Sequence, residues 1–319
     1  MSRKIYWTFL AGFIFGLVGA WIFFSSNSDS RATQVRQGGF TYINPLLECE
    51  VGEELISKEL RPFKGIVQEK VDQILEEGKA SHISIYFRDL NNGPWIGINE
   101  REEFILASLV KVPVMISYFR EAEEDPSILA KSILFSGSLN PNVPYFKPAS
   151  TLETGKSYTV TELIERMIRY SDNDAYDLLV LNLKGNQINE TFNSIGATLP
   201  PDRIRLTVKA YASFFRILFN SSYLNQDHSE QALSILAKTQ FDQGIRAGVP
   251  GNTMVAHKFG EKWNPSESNE KQLHDCGIVY FPNHPYLLCV MTRGESFDTL
   301  ASVIKDLSAL VYHEVNEQF

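Results

Sequence analysis

The strongest hydrophobic feature of the chain is an apolar run close to its start. Residues 5–24 contain only two mildly polar side chains, and a helix of this length spans roughly 30 Å of hydrocarbon. Arg3 and Lys4 precede the run and no basic residue directly follows it, a pattern that leaves the short tail inside and the rest outside. Bulky residues continue to the end of the run, which favours an uncleaved transmembrane anchor at 1–24 over a cleaved signal peptide.

A polar segment separates this run from the rest of the chain. Residues 25–45 are rich in Ser, Asn, Asp, Arg, Gln and Gly and have few apolar anchors, as expected for a linker. We place the linker at 25–60 and one domain at 61–319, because about 260 residues suit a single large domain better than two independent ones. The chain is therefore predicted to be a single-pass protein of the cell membrane whose domain is extracytoplasmic.

Hydrophobic periodicity divides this domain into a strand-rich start, a helical middle and a strand-rich end. An amphipathic helix at 61–78 precedes two apolar strands at 82–87 and 95–98, which are joined by an Asn-Asn-Gly-Pro turn. Near the C-terminus, β-branched and aromatic runs predict three further strands, and helical spacing then predicts a closing helix. These four segments are 253–260, 275–281, 286–292 and 297–313.

Between the two groups of strands, at about 109–248, the apolar positions follow a helical period. The helices in this part are predicted at 161–170, 175–183, 187–195 and 207–219. This order predicts an α/β (α+β) fold, in which an antiparallel sheet is built from both chain ends and flanked by helices. An all-helical lobe is inserted, and a cleft lies between lobe and sheet.

Charge and cysteine content narrow the range of functions. Lys and Arg number 30 against 38 Asp and Glu, a formal charge of −8, so nothing attracts the protein to nucleic-acid phosphates. Three cysteines cannot form a cysteine-only zinc site, and none of the six histidines occurs in a His-Glu-x-x-His spacing. We therefore expect no nucleic-acid partner, no metal and no cofactor.

A serine and a lysine one helical turn apart form the first candidate for chemistry. Ser108 and Lys111 follow the apolar stretch 104–107 at the start of an apolar helix, so the hydroxyl and the amine share one face. A lysine accepts a serine proton only when burial and nearby positive charge lower its pKa. The same spacing begins at Ser268, in a charged loop, and at Ser302, inside the closing helix. The alternative is that Ser108 only caps a helix.

Two further motifs lie on the same predicted cleft. A Ser-Asp-Asn sequence occurs only at 171–173, between two predicted helices, where all three residue types are also good helix caps. A Lys-x-Gly sequence occurs only at 258–260, at the end of a predicted strand, where a lysine is usually solvated. Each motif is weak alone, but their order and setting indicate one site.

Together, the three motifs resemble those of the penicillin-recognising serine enzymes, the class A β-lactamases and penicillin-binding proteins. The resemblance covers most of the chain from about residue 80 to its end and includes 244–250, which is similar to a stretch of class A enzymes. It implies a membrane-anchored, extracytoplasmic serine hydrolase of the class A β-lactamase type without a cofactor. Its partner would be a small-molecule β-lactam or a peptidoglycan stem peptide.

The resemblance also implies a catalytic role for four residues. Ser108 would be the acylated nucleophile and Lys111 its proton acceptor. Ser171 and Lys258 would relay the proton to the leaving group and hold the substrate carboxylate. Because Lys111 and Lys258 converge on one cleft, each is expected to lower the pKa of the other.

Three residues are implied in substrate binding. Asn173 would hydrogen-bond the substrate amide, while Gly260 and Glu261 lie on the strand beside the nucleophile. The main-chain N–H groups of Ser108 and Glu261 would form the oxyanion hole, which tolerates any side chain at the second position.

The sequence departs from the family pattern at two places. Phe259 replaces the hydroxyl residue that normally lies between Lys and Gly, which removes one group from carboxylate recognition. The loop that carries the water-activating glutamate of class A enzymes is shortened here. Its nearest carboxylates are Glu190, on the preceding predicted helix, and Asp202, in a turn. We therefore expect acylation with slow deacylation.

These departures keep two alternatives open. The chain could be a D-alanyl-D-alanine peptidase-like enzyme or penicillin-binding protein with the same acylation chemistry, or a catalytically weak binding module.

Several other side chains near the predicted cleft have more than one interpretation. Cys276 and Cys289 fall on paired strands, on one face but diagonally offset, which is a marginal fit to a disulfide. His257 and His274 are predicted to make structural hydrogen bonds. Tyr145 and its neighbour at 146 are candidates for an aromatic wall of the cleft or for the core.

Overall fold

The computed structural model describes residues 34–49, 61–91, 95–138, 143–183, 185–197, 205–263 and 270–318. The predicted anchor at 1–24 lies outside these ranges. No helix within them is long and apolar enough to cross a membrane.

Most of the predicted strands and helices occur in the expected order, and the helix Gln226–Leu236 is an addition that the sequence did not predict. The linker prediction at 25–60 was wrong for residues 34–49, because this segment contains two strands and its Ile43 is buried in the core. The strands are β1 (Gln34–Arg36), β2 (Leu46–Cys49), β3 (His82–Asp89), β4 (Trp95–Ile98), β5 (Glu103–Ile105), β6 (Ser132–Leu134), β7 (Ser157–Thr159), β8 (Arg205–Thr207), β9 (Val255–Lys262), β10 (Lys271–Val279) and β11 (Tyr286–Gly294). The α-helices are α1 (Arg61–Glu76), α2 (Lys111–Glu124), α3 (Val160–Arg169), α4 (Asn173–Asn182), α5 (Gln187–Asn193), α6 (Val208–Phe219), α7 (Gln226–Leu236) and α8 (Phe297–Gln318). Short 3-10 turns lie at Ala107–Val110, Pro126–Ala130 and Ile245–Gly248.

An antiparallel sheet from both chain ends forms the centre of the fold, as predicted. Within the described residues its strand order is β4-β3-β11-β10-β9. Ile83, Ile85 and Phe87 alternate along β3 and pack in the core that contains α1 and α8. Tyr86 points to the other face and joins the core of the inserted lobe, because successive side chains of a strand face opposite sides.

The inserted lobe is built around α2, which is buried on most sides. Its neighbours begin at well-defined caps, because Ser, Thr, Asp and Asn side chains satisfy the free N–H groups of a first helical turn. Thr159 and Glu162 form a capping box at α3, and Asp172 caps α4. The lobe is not purely helical, since the strand pair β6–β7 and the strand β8 lie within it.

Strand β8 belongs to the inserted lobe and pairs with β5, which lies outside the lobe and precedes Ser108. Phe104 lies opposite Leu206 in this pair. The pairing places Arg205–Thr207 beside the chain that leads into Ser108. Three-residue strands show no periodicity of their own, so the sequence did not predict them.

The cysteine prediction was wrong in register. Cys276 of β10 lies directly opposite Cys289 of β11, with a Cα–Cα distance of 3.9 Å, and the two form a disulfide. The sequence analysis placed them diagonally because it counted from an assumed centre of the turn, whereas the actual pairing of the two strands is shifted relative to that centre.

Two buried histidines make structural hydrogen bonds, as expected. The His257 ring pairs with Asp275 at 2.8 Å. His274 donates from Nε2 to the Ile105 carbonyl at 3.1 Å and accepts at Nδ1 from the Thr292 N–H at 3.3 Å. Burial lowers the pKa of His274 to about 3, so the ring is neutral. It ties β10 to the end of β5, one turn before Ser108.

Candidate active site

Ser108 lies in the 3-10 turn Ala107–Val110, between β5 and α2. Ala107 has φ +49°, a left-handed conformation that is uncommon for a residue with a side chain and is often found at functional sites. Neither the turn nor α2 has a side-chain cap. In the part of the chain that the structure describes, the Ser108 hydroxyl makes no hydrogen bond. The helix-cap alternative for this serine is therefore wrong.

Lys111 begins α2 and is only 1% exposed. Its Nζ donates to the Ser171 carbonyl at 2.6 Å, to Asn173 Oδ1 at 2.7 Å and to Ser171 Oγ at 3.2 Å. Burial lowers the pKa of Lys111 to about 7, although the carboxylates of Asp172, Asp177 and Glu261 oppose this effect. A substantial fraction of this amine is consequently unprotonated at neutral pH.

The residues of the Ser-Asp-Asn motif have two roles: one caps a helix, and the other two contact Lys111. Asp172 accepts from the N–H groups of Asp174 at 2.9 Å and Ala175 at 3.1 Å, so the cap interpretation holds for this residue. Ser171 has φ +56° and turns its carbonyl and hydroxyl towards Lys111. Asn173 follows on the first turn of α4 and also contacts Lys111.

Lys258 is fully buried in the middle of β9 rather than at its end, so the alternative of a solvated lysine is excluded. Its Nζ donates to Ser171 Oγ at 2.9 Å and to the Phe259 carbonyl at 2.8 Å. Burial and then the charge of Lys111 hold its pKa well below the ordinary value. The Ser171 hydroxyl thus lies between two buried amines, an arrangement suited to relaying a proton.

Gly260 allows β9 to pass directly against the serine turn. A Cβ atom at this position would lie 2.9 Å from the Leu106 carbonyl oxygen and 3.0 Å from the Leu109 nitrogen. Any side chain would therefore push the strand and the turn apart.

Glu261 holds a neighbouring segment over the site through its side chain. Its two carboxylate oxygens accept from the Tyr145 N–H at 2.7 Å and the Phe146 N–H at 3.1 Å. Burial raises the pKa of Glu261. The sequence identified this residue only for its main chain, because nothing in the local pattern shows that its carboxylate reaches a segment more than a hundred residues away.

A cavity of about 750 Å³ opens where these elements meet. The motif residues that line it are Ser108, Lys111, Ser171, Asn173, Phe259 and Glu261. Lys258 reaches it through Ser171, and Gly260 packs behind the serine turn. The structure therefore brings all the predicted site residues together. By contrast, Ser302 lies exposed on α8, and Ser268 is outside the described residues.

Aromatic side chains form one wall of this cavity. The Phe259 ring stacks on Phe241 with centroids 4.2 Å apart and meets Phe146 edge-on at 5.9 Å. Both Tyr145 and Phe146 line the cavity. Phe146 also packs against the core, whereas Tyr145 is 51% exposed. Phe259 therefore replaces a polar group of the motif with part of an aromatic cluster, and both interpretations of residues 145 and 146 are correct in part.

The carboxylates of the cavity are not the ones that the sequence considered. Glu190 is exposed on α5 and does not line the cavity, while Asp202 lies outside the described residues. Among the described lining residues, the carboxylates belong to Glu261 and Asp177. Asp177 follows Asn173 by four residues on α4, so the helical spacing that identified Ser108 and Lys111 would also have found it.

A serine whose hydroxyl is unpaired within the described residues shares this cavity with a lysine of lowered pKa and with a second Ser–Lys pair, an arrangement suited to nucleophilic catalysis. The chain belongs to the β-lactamase enzyme family, whose sequence profile matches residues 66–315. It is a serine β-lactamase-like hydrolase.

Individual relatives are distant in sequence but similar in fold. A β-lactamase of Streptomyces fradiae is 22% identical over 251 residues, covering 72% of this chain and 80% of that protein. The structure of a class A β-lactamase from Mycobacterium abscessus has a TM-score of 0.68 at 22% identity, covering 78% of this chain and 99% of that one. The structure of PBP-A has a TM-score of 0.66 at 21% identity, covering 79% and 96%. The mixed fold with an antiparallel sheet flanked by helices is thereby confirmed.

Proposed function

We propose that this protein is a membrane-anchored, extracytoplasmic serine hydrolase that opens β-lactam amides through an acyl-enzyme on Ser108. The observation that carries the proposal is the Ser108 hydroxyl, which is unpaired within the described residues and shares a cavity with Lys111, whose pKa of about 7 makes it a base near neutral pH. No other serine of a Ser-x-x-Lys pair in the described residues has this setting.

The acylation step follows from the contacts of the two lysines. Unprotonated Lys111 accepts the Ser108 proton while Oγ bonds to the amide carbon. The negative charge that develops on the carbonyl oxygen is stabilised by the N–H groups of Ser108 and Glu261. The proton passes from Lys111 through the Ser171 hydroxyl to the amide nitrogen as the C–N bond breaks, with Lys258 holding the Ser171 oxygen.

Anchoring in the membrane is the second part of the proposal. It is supported by the apolar run at 5–24 and by the basic residues Arg3 and Lys4 in front of it. The polar residues at 25–33 would connect this anchor to the hydrolase domain, against which residues 34–49 pack. On this basis, the full chain stays with membranes after an alkaline wash, and its release into the wash would exclude an anchor.

Between α4 and α6 no described residue lines the cavity, which favours a second candidate, a D-alanyl-D-alanine peptidase-like enzyme of peptidoglycan. Both candidates use the Ser108 acyl-enzyme and differ in the acyl donor. Steady hydrolysis of a chromogenic cephalosporin by the full chain would support the β-lactamase, and release of D-alanine from a pentapeptide would support the peptidase. Ser108→Ala is expected to abolish either activity; an unchanged rate in this variant would contradict both candidates.

Phe259 is expected to weaken recognition of a substrate carboxylate. Its ring centroid lies 4.3 Å from Lys258 Nζ, so a hydroxyl at this position would lie close to the group that holds the carboxylate. We expect Phe259→Thr to raise the ratio of the acylation efficiency with penicillin G to that with penicillin G methyl ester by about tenfold. This is the effect of one hydrogen bond to a charged group. The measurement is the ratio of kcat/KM, or of the acylation rate constants, for the acid and the ester.

The matched control is Phe259→Val, which has the shape of threonine without the hydroxyl. Both variants lose the stacking on Phe241, so their unfolding temperatures should fall by similar amounts. An equal acid-to-ester ratio in the two variants would show that position 259 does not contribute to carboxylate recognition.

A further inference from the structure

Asp177 is a carboxylate of the active-site cavity to which the motifs assign no role. It lies one helical turn after Asn173 on α4, which places the two side chains on one face of the helix. It lines the same cavity as Ser108 and Lys111. Between the end of α5 and Phe259, no described residue lines this cavity.

The carboxylate of Asp177 is free to hold a water molecule. Within the described residues it accepts no hydrogen bond and forms no ion pair. Its neighbours are occupied: Glu261 is held by two N–H groups, Asp172 caps α4, and Asp174 accepts from the Ser138 hydroxyl at 2.5 Å. Of the cavity carboxylates described, only that of Asp177 has both oxygens available.

The charges around Asp177 suit a base rather than a structural ion pair. Asp174 and Asp172 face it from its own helix, and Lys111 faces it from α2. Glu261 and Lys262 line the same cavity from β9, and Lys271 lines it from β10. Burial and the neighbouring carboxylates raise the pKa of Asp177, while Lys111 lowers it. An aspartate with a raised pKa is a stronger proton acceptor than an exposed one.

We propose that Asp177 is the catalytic residue that binds and deprotonates the water which hydrolyses the Ser108 ester. This inference rests on the proposed acyl-enzyme function. The water oxygen bonds to the acyl carbon and one of its protons moves to the Asp177 carboxylate. The bond between that carbon and Ser108 Oγ then breaks, and the proton passes from Asp177 to Oγ. The products are a carboxylic acid and the restored serine.

The test separates acylation from deacylation in Asp177→Asn. The full chain is acylated with excess penicillin G, the free drug is removed, and intact-protein mass spectrometry follows the loss of the adduct. We expect an acylation rate within a few-fold of wild type and an adduct that persists about 100-fold longer, the lower range of general-base effects. Asp177→Glu, which retains a carboxylate, should recover part of the deacylation rate.

Asp174→Asn is the matched control, because it removes an equal charge from the same helix at a position outside the cavity. Its adduct should decay within a few-fold of the wild-type rate. Deacylation by wild type should also slow as the pH falls and Asp177 becomes protonated, and Asp177→Asn should lose this acid limb.

Two results would overturn the inference in distinguishable ways. An Asp177→Asn adduct that decays at the wild-type rate would exclude Asp177 as the base and leave the acyl-enzyme intact. No adduct and no drug consumption in wild type would remove the proposed function, and the inference with it.

Discussion

Replacing Lys111 by Ala is expected to slow acylation of Ser108 by about 10²- to 10⁴-fold, the usual contribution of a general base. The Nζ atom is buried and fixed by Ser171 and Asn173, so no other amine of the cavity can take its position without rearrangement. The measurement is the rate constant for adduct formation with penicillin G, by intact-protein mass spectrometry at several drug concentrations.

The pH dependence gives this prediction a second readout. In the proposed mechanism the unprotonated amine is the base, and the pKa of Lys111 is about 7. Acylation by wild type should therefore rise with pH through about 7 and then level off. The residual rate of Lys111→Ala should lack this rise. Lysine-dependent acylation is contradicted if the variant acylates at the wild-type rate.

Lys262→Ala is the control for the lysine variant. Lys262 lines the same cavity but, within the described residues, makes no hydrogen bond to a motif residue, so its loss should leave the pH profile in place. Thermal unfolding of both variants shows whether the loss of three buried hydrogen bonds in Lys111→Ala has unfolded the protein instead.

Gly260→Val is expected to reduce acylation by about 100-fold, because a misplacement of about 1 Å at a reacting group costs roughly this factor. A Cβ atom at Gly260 would lie 2.9 Å from the Leu106 carbonyl oxygen and 3.0 Å from the Leu109 nitrogen, and both of these are main-chain atoms. The serine turn must therefore move away from β9. Overpacking of this kind also lowers the free energy of unfolding by about 1–3 kcal/mol.

Gly251→Val is the matched control, since a Cβ atom there has nothing within 4 Å. It should acylate at the wild-type rate and unfold at a similar temperature. If Gly260→Val also acylates normally, then close contact between β9 and the serine turn is not needed for the chemistry.

Much of the architecture is predictable from local pattern. Alternation along β3 and helical spacing in α1 and α8 depend only on neighbours in sequence, and these elements lie within a few residues of their expected bounds. The strand β9 extends further than expected because Glu261 and Lys262 break the apolar run, although pairing with β10 continues through both.

The motifs predicted which residues lie together at the cavity, but not which hydrogen bonds their side chains make or how deeply they are buried. The burial of Lys258, the bonds from Glu261 to residues 145 and 146, and the register of Cys276 all depend on contacts between distant segments. Asp177 was missed for a different reason. The family pattern directs attention to carboxylates near the loop after α5, whereas the carboxylate of Asp177 enters the cavity lining from α4.

The most direct test of the central claim is intact-protein mass spectrometry of the full chain after addition of penicillin G, with Ser108→Ala in parallel and with drug consumption followed in both. Wild type is expected to gain the mass of one intact drug molecule, or to consume the drug, and the Ala variant is expected to do neither. Equal labelling of the two proteins, or neither adduct nor consumption in wild type, would contradict it.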